Sequence, residues 1–206
     1  MSLVVVGGHT RNVGKTSVVA GLIDALREFD WTAAKITQYG HGICSANGKA
    51  CQCATSEHSW AISEEQDRSG ESDTSRFLVA GAARVFWVRT EQGRLAQALP
   101  ALQAKIKAAR HVIVESNSIL RFVQPDLYLT VLDPATADFK TSAREFLDRA
   151  DAVILHGTSD THPVWKEASL NPSMRQPIFL IAPPPYVTPQ IVSFVRSRLA
   201  AKIAGH

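Results

Sequence analysis

The segment Gly8-His9-Thr10-Arg11-Asn12-Val13-Gly14-Lys15-Thr16-Ser17 carries the clearest chemistry in the chain. It reads as a phosphate cradle. Such a cradle needs glycines that let backbone N–H groups turn around an anion, a lysine to reach terminal phosphates, and a hydroxyl for Mg²⁺. Gly8 and Gly14 supply the freedom, Lys15 the charge and Thr16 the hydroxyl. Thr10, Arg11, Asn12, Val13 and Ser17 complete the surface that would meet a nucleotide. Five residues separate the two glycines, whereas the common pattern has four. His9 opens this wider loop and reads as a loop residue rather than a catalytic one.

Two carboxylates could serve the same site. Glu115 closes the apolar run Val112-Ile113-Val114, and a carboxylate at the end of a buried strand beside the cradle can hold Mg²⁺ directly or through water. Asp73 is read equally as a Mg²⁺ ligand or as the cap of a helix running from Thr74 toward Ala83.

A separate cluster is made of thiols. Cys44, Cys51 and Cys53 are the only cysteines, and all fall within one short segment. With His58, or His41 in its place, they would complete a tetrahedral Zn²⁺ site. An iron–sulfur cluster or a metal-transfer site suits the same donors. A disulfide framework would spread its cysteines along the chain, so metal or redox chemistry is favoured over incidental thiols.

The elements that must position these groups follow from hydrophobic periodicity. Short apolar runs predict strands at 2–6, 31–37, 84–89, 111–115, 127–132, 152–156 and 177–182. Periodic patterns predict helices over 16–29, 95–109, 142–149 and 188–203. This alternation implies an α/β fold: a three-layer sandwich with a mostly parallel, doubly wound sheet. One domain over 1–206 is expected. The stretch from Tyr39 to Gly70 breaks the rhythm and is read as a long Cys-containing insertion loop, a length usually reserved for function.

Composition narrows the class. Apolar residues make up 45% of the 206, enough for a core, and charged residues only 20%. A net charge of +3 with scattered basic residues does not point to a nucleic-acid partner. The N-terminus lacks the basic start and apolar stretch of a signal peptide. No run approaches the roughly 20 apolar residues of a membrane span. A soluble, cytoplasmic protein is expected.

The run Gly8 to Thr16 resembles the phosphate loop of dethiobiotin synthetases, with the same wide glycine spacing and the same Val-Gly-Lys-Thr. It also resembles that of the molybdopterin-guanine dinucleotide biosynthesis protein B family. Both belong to a class of P-loop NTPases that includes the nitrogenase iron protein and nickel-insertion GTPases. Many of that class carry an extra lysine early in the loop, where this chain has Thr10 and Arg11. Ala34-Lys35-Ile36 is similar to the second-strand lysine of both families. The run Ser72 to Arg76, with Ala80-Gly81-Ala82, is similar to a pattern of the protein B family. Val112 to Glu115 is similar to the Val-Glu-Gly of both, although Ser116 replaces the glycine.

The resemblance implies Lys35 near the γ-phosphate or the substrate, and a catalytic set of Lys15, Lys35 and Glu115. It places Pro183 and Pro184 near the nucleotide base. The Asn-Lys-x-Asp signature of guanine sites is absent, and ATP and GTP both remain open. It further implies Mg²⁺-dependent nucleotide hydrolysis in cofactor biosynthesis or assembly, a cofactor-synthesis or apo-enzyme partner, and a homodimer. A dethiobiotin-synthetase-like ligase and a nucleotide-gated metallochaperone are the rival expectations.

Overall fold

A computed structural model describes residues 1–39, 59–157 and 176–204. Cys44, Cys51, Cys53 and His58 lie outside the described residues. Among those described, eight strands form one sheet in the order β3-β4-β2-β5-β1-β6-β7-β8. The strands are β1 (Ser2–Gly8), β2 (Thr32–Tyr39), β3 (Trp60–Glu64), β4 (Arg84–Glu91), β5 (His111–Glu115), β6 (Leu127–Leu132), β7 (Ala152–His156) and β8 (Ile178–Ile181). The helices are α1 (Lys15–Ala25), α2 (Asp73–Val79), α3 (Leu95–Ile106), α4 (Thr141–Arg144) and α5 (Pro189–Ala204).

Seven strands run parallel, and β3 pairs antiparallel with β4 at one edge. This is the three-layer, doubly wound α/β architecture expected from the alternation. Strand side chains alternate between the two faces. Val4, Val6, Ile113, Leu127 and Leu129 are buried beneath α1, α2 and α5. Val5, Val112, Val114, Phe86 and Val88 are buried beneath α3 and the turn carrying Ile119 and Leu120. Both faces of the central strands are therefore dry, which is why β1 and β5 read as continuous apolar runs.

The sheet reverses its winding at β1. The connection after β1 leads past β5 to β2, whereas the one after β5 crosses β1 to reach β6. A crevice opens at the carboxyl ends of strands at such a point. Lys35 pairs in register with Glu115 on one side and Trp87 on the other, and Glu115 pairs with Val6. Parallel pairing at equal register puts Lys35 and Glu115 on one face, the face covered by α1.

Three elements differ from the sequence reading. Residues 60–64, inside the expected insertion loop, form β3. Every residue of that strand is only half-buried, so it lacks the in–out alternation that marks a strand in sequence. The helix expected over 142–149 splits into α4 and a single 3-10 turn at Leu147–Arg149. The first helix stops at Ala25 and is followed by a 3-10 turn at Arg27–Phe29. Trp31 there donates its indole N–H to Leu26 O at 2.9 Å, closing the helix end.

Candidate active site

The loop between β1 and α1 is held from three sides. Asn117 clamps Gly8: its Nδ2 donates to Gly8 O at 2.8 Å, and its Oδ1 accepts from Gly8 N at 2.9 Å. His9 is fully buried. Its N–H reaches Val131 O at 3.2 Å, its carbonyl accepts from Lys140 N at 2.8 Å, and its ring rests on Phe139 with centroids 5.2 Å apart. Burial holds the His9 pKa below the usual range. These contacts give His9 a scaffolding role in the loop. Thr10 Oγ1 donates to Asp138.

Farther along, Val13 is buried in the core beside α1, and Arg11 and Asn12 turn outward. Asn12 and Gly14 both have positive φ, 58° and 94°. Asn tolerates that region, and glycine adopts it freely. Gly14 has a second reason to lack a side chain: a Cβ there would lie 2.3 Å from Tyr186 Cε1. No side chain caps α1, and its first turn carries no acidic residue. Its leading N–H groups are thus left to an anion, and the helix dipole favours one.

Lys15 Nζ donates to Thr10 O at 2.6 Å. Burial pushes its pKa down to about 8, with Lys140 and Lys35 adding repulsion against the pull of Glu115. Thr16 Oγ1 donates to Glu115 Oε2 at 2.8 Å. Lys35 Nζ meets Glu115 Oε1 at 2.8 Å and Asp73 Oδ2 at 2.6 Å. Burial opposes charge on Lys35 too, but the two carboxylates outweigh it and raise its pKa above the ordinary lysine range. Ser17 Oγ accepts from Arg76 Nη2 at 3.0 Å.

Asp73 does not cap α2. Ser72 does so, accepting from Ser75 N at 3.0 Å, which leaves the Asp73 carboxylate free for Lys35. Together these groups line a cleft of about 1350 Å³ at the strand ends. The sequence-selected Arg11, Asn12, Gly14, Lys15, Thr16, Ser17, Lys35, Asp73 and Glu115 all border it. Gly8, Thr10 and Val13 lie behind it as loop support.

Pro183 and Pro184, expected at the base, are absent from its lining. Tyr186 borders it instead, beyond the proline turn. Prolines there redirect the chain after β8, and the aromatic that follows reaches the loop. The sequence reading also missed Asn117, Lys140 and Asp138. Asn117 had a usable signal, an amide two residues past a strand-end carboxylate. The other two sit in the connection after β6, where nothing in the sequence distinguished them.

The donor set suits a hard cation. Thr16, Glu115 and Asp73 all offer oxygen, as Mg²⁺ prefers, and a single ammonium already gathers all three. Among the described residues, no group of three or more His, Cys, Asp and Glu side chains is arranged to hold a metal. No described helix is long and apolar enough to cross a membrane.

Fold and site together define a doubly wound α/β protein with a glycine-flanked loop between its first strand and helix. No protein-family model matches the chain, and no curated protein sequence does. Several solved structures are similar, among them the following two. HypB from Helicobacter pylori, in complex with nickel, aligns at TM-score 0.49 and 15% identity, over 97% of this chain and 86% of its own. LpxK from Aquifex aeolicus, an "apo" form in complex with ATP, aligns at TM-score 0.46 and 18% identity. That alignment covers 87% of this chain but 53% of LpxK, so the chain spans about half of that protein.

Proposed function

We propose that the protein is a Mg²⁺-dependent nucleotide-binding NTPase of cofactor biosynthesis or assembly, similar to the molybdopterin-guanine dinucleotide biosynthesis protein B family. The observation that carries this reading is the meeting of Lys15, Thr16, Lys35 and Glu115 at one cleft behind an uncapped helix start. Lys15 is a half-buried cation with a carbonyl for its only hydrogen-bond partner in the loop, so phosphate oxygens would be better partners than it now has. Thr16 and Glu115, with Asp73, would hold Mg²⁺, which when bound neutralises charge on the β- and γ-phosphates. Lys35 would stabilise charge developing on the γ-phosphate. Arg11 and Lys140 border the cleft beside the loop and add positive field for an anion.

Titration of wild type and Lys15→Ala with fluorescent ATP and GTP analogues tests the reading. Wild type is expected to bind one of them, and Lys15→Ala to lose that binding by about a hundredfold or more. Retained binding in Lys15→Ala overturns the cradle assignment. The preferred analogue names the base.

A second reading, a nucleotide-gated metallochaperone, rests on a sequence observation: all three cysteines lie between residues 44 and 53. Metal analysis of protein purified without chelator separates the two. Stoichiometric zinc or iron, together with slow hydrolysis stimulated only by a partner protein, favours the chaperone. Metal-free protein with steady turnover favours the enzyme.

A further inference from the structure

The ammonium of Lys35 stands where the metal is expected. It is 2.8 Å from Glu115 Oε1, 2.6 Å from Asp73 Oδ2 and 3.3 Å from Thr16 Oγ1. These are the same three side chains whose oxygens suit Mg²⁺. A dication and an ammonium cannot both occupy so small a cage, because like charges at that separation repel strongly in a partly buried site. One must leave when the other enters.

The fold makes the exchange mechanically simple. The backbone of Lys35 is fixed by pairing on both sides, to Glu115 on β5 and Trp87 on β4. Its side chain keeps 18% of its surface exposed and ends on a flexible four-carbon stem. The head can therefore move into the cleft while the strand stays still. Glu115, by contrast, is only 5% exposed, and a buried carboxylate needs a cation beside it at all times. Asp73 sits half-exposed at the start of α2 and is the easier partner to release.

We infer that Lys35 is a built-in counter-ion that competes with Mg²⁺ for Thr16, Asp73 and Glu115. In protein without nucleotide it keeps these oxygens satisfied and makes free metal bind poorly. When a nucleotide arrives with its metal, the triphosphate gives the displaced ammonium a new anionic partner. Lys35 then passes from the carboxylates to the γ-phosphate. Metal loading is thereby tied to nucleotide loading, and Lys35 is the residue that couples them. This inference rests on the Mg²⁺-dependent reading of the cleft.

The test is made without nucleotide, on three forms of the full chain: wild type, Lys35→Met and Lys35→Met/Glu115→Gln. Mn²⁺ affinity is measured by electron paramagnetic resonance, and thermal unfolding is followed with and without Mg²⁺. Lys35→Met is expected to bind Mn²⁺ at least about tenfold more tightly than wild type. Its Tm, lowered in chelator, should be restored by Mg²⁺, while that of wild type hardly responds. The double variant should show neither effect.

Equal or weaker Mn²⁺ binding by Lys35→Met overturns the inference. So does a Lys35→Met chain that stays unfolded in Mg²⁺ while Lys35→Gln folds and gains no Mn²⁺ affinity. A Lys35→Met chain that folds only when Mg²⁺ is present supports it. Because no nucleotide enters this experiment, its outcome is independent of the ATP and GTP titrations. A wild type that binds neither nucleotide would sink the proposed function alone.

Discussion

The cleft contains two lysines in opposite electrostatic states. Lys15, at the start of α1, is half-buried against a single carbonyl, and desolvation pushes its pKa down to about 8. Lys35, on the strand row, lies between two carboxylates and is held above the ordinary lysine range. Sequence context gives little hint of this contrast, since both follow small or apolar residues. The difference teaches where each region's binding energy is held. On the proposed reading, the loop is an anion receptor whose lysine charge faces one neutral carbonyl. The strand row is an ion cluster already closed upon itself.

The largest effect expected from that contrast is in stability. Lys35→Met leaves the Glu115 carboxylate buried without a cation, and should cost about 3 kcal/mol in urea unfolding with chelator present. A loss no larger than that of an exposed ion pair would mean the cluster is not closed. The clamp on the loop comes next. Asn117→Ala removes two hydrogen bonds to Gly8 and should cost about 2 kcal/mol, with weaker anion binding. Unchanged anion affinity would separate the clamp from the receptor.

Gly14→Ala is expected to cost about 1.5 kcal/mol, from its positive φ and its contact with the Tyr186 ring. Pairing it with Tyr186→Ala should recover only the steric part. The smallest effect is in pH dependence. Lys15 has a folded pKa of about 8, below its unfolded value near 10.4. Between the two, the unfolded chain binds more protons, so stability rises with pH across that window. Wild type should gain about 1 kcal/mol there, less than the full shift because residual water screens the charge, and Lys15→Met should gain less, with Lys140 still contributing in the same direction. A rise of equal size in Lys15→Met would move that titration to another group.

The parts of this molecule that sequence made legible are the ones with local rules. The loop is recognisable because its glycines, lysine and hydroxyl must follow one another in order. The strands β1, β5 and β6 are recognisable because burial on both faces demands unbroken apolar runs. Glu115 stood out as a charge at the end of such a run. What could not be read depends on partners distant in sequence. Trp60–Glu64 is a strand because β4 lies beside it, not because of its own pattern. The role of Asp73 was undecided until Ser72 proved to be the cap and Lys35 proved to be within reach. Asn117 acts on a residue 109 positions away. Tyr186 reaches the loop only after the proline turn has redirected the chain, which no pattern in that turn announces.

The register of β5 between β1 and β2 has a kinetic consequence. Glu115 reaches Lys35 and Thr16 only when both parallel pairings are made at the correct offset, since a slip of one residue would turn Val114 toward α1 instead. These pairings join segments some 80 to 110 positions apart, the kind of contact that slows folding. A cluster that closes after the folding barrier would give Lys35→Met a φ-value near zero, which folding and unfolding rates in urea would measure. Anything that binds there should then slow the opening of the folded chain and leave its rate of formation almost unchanged.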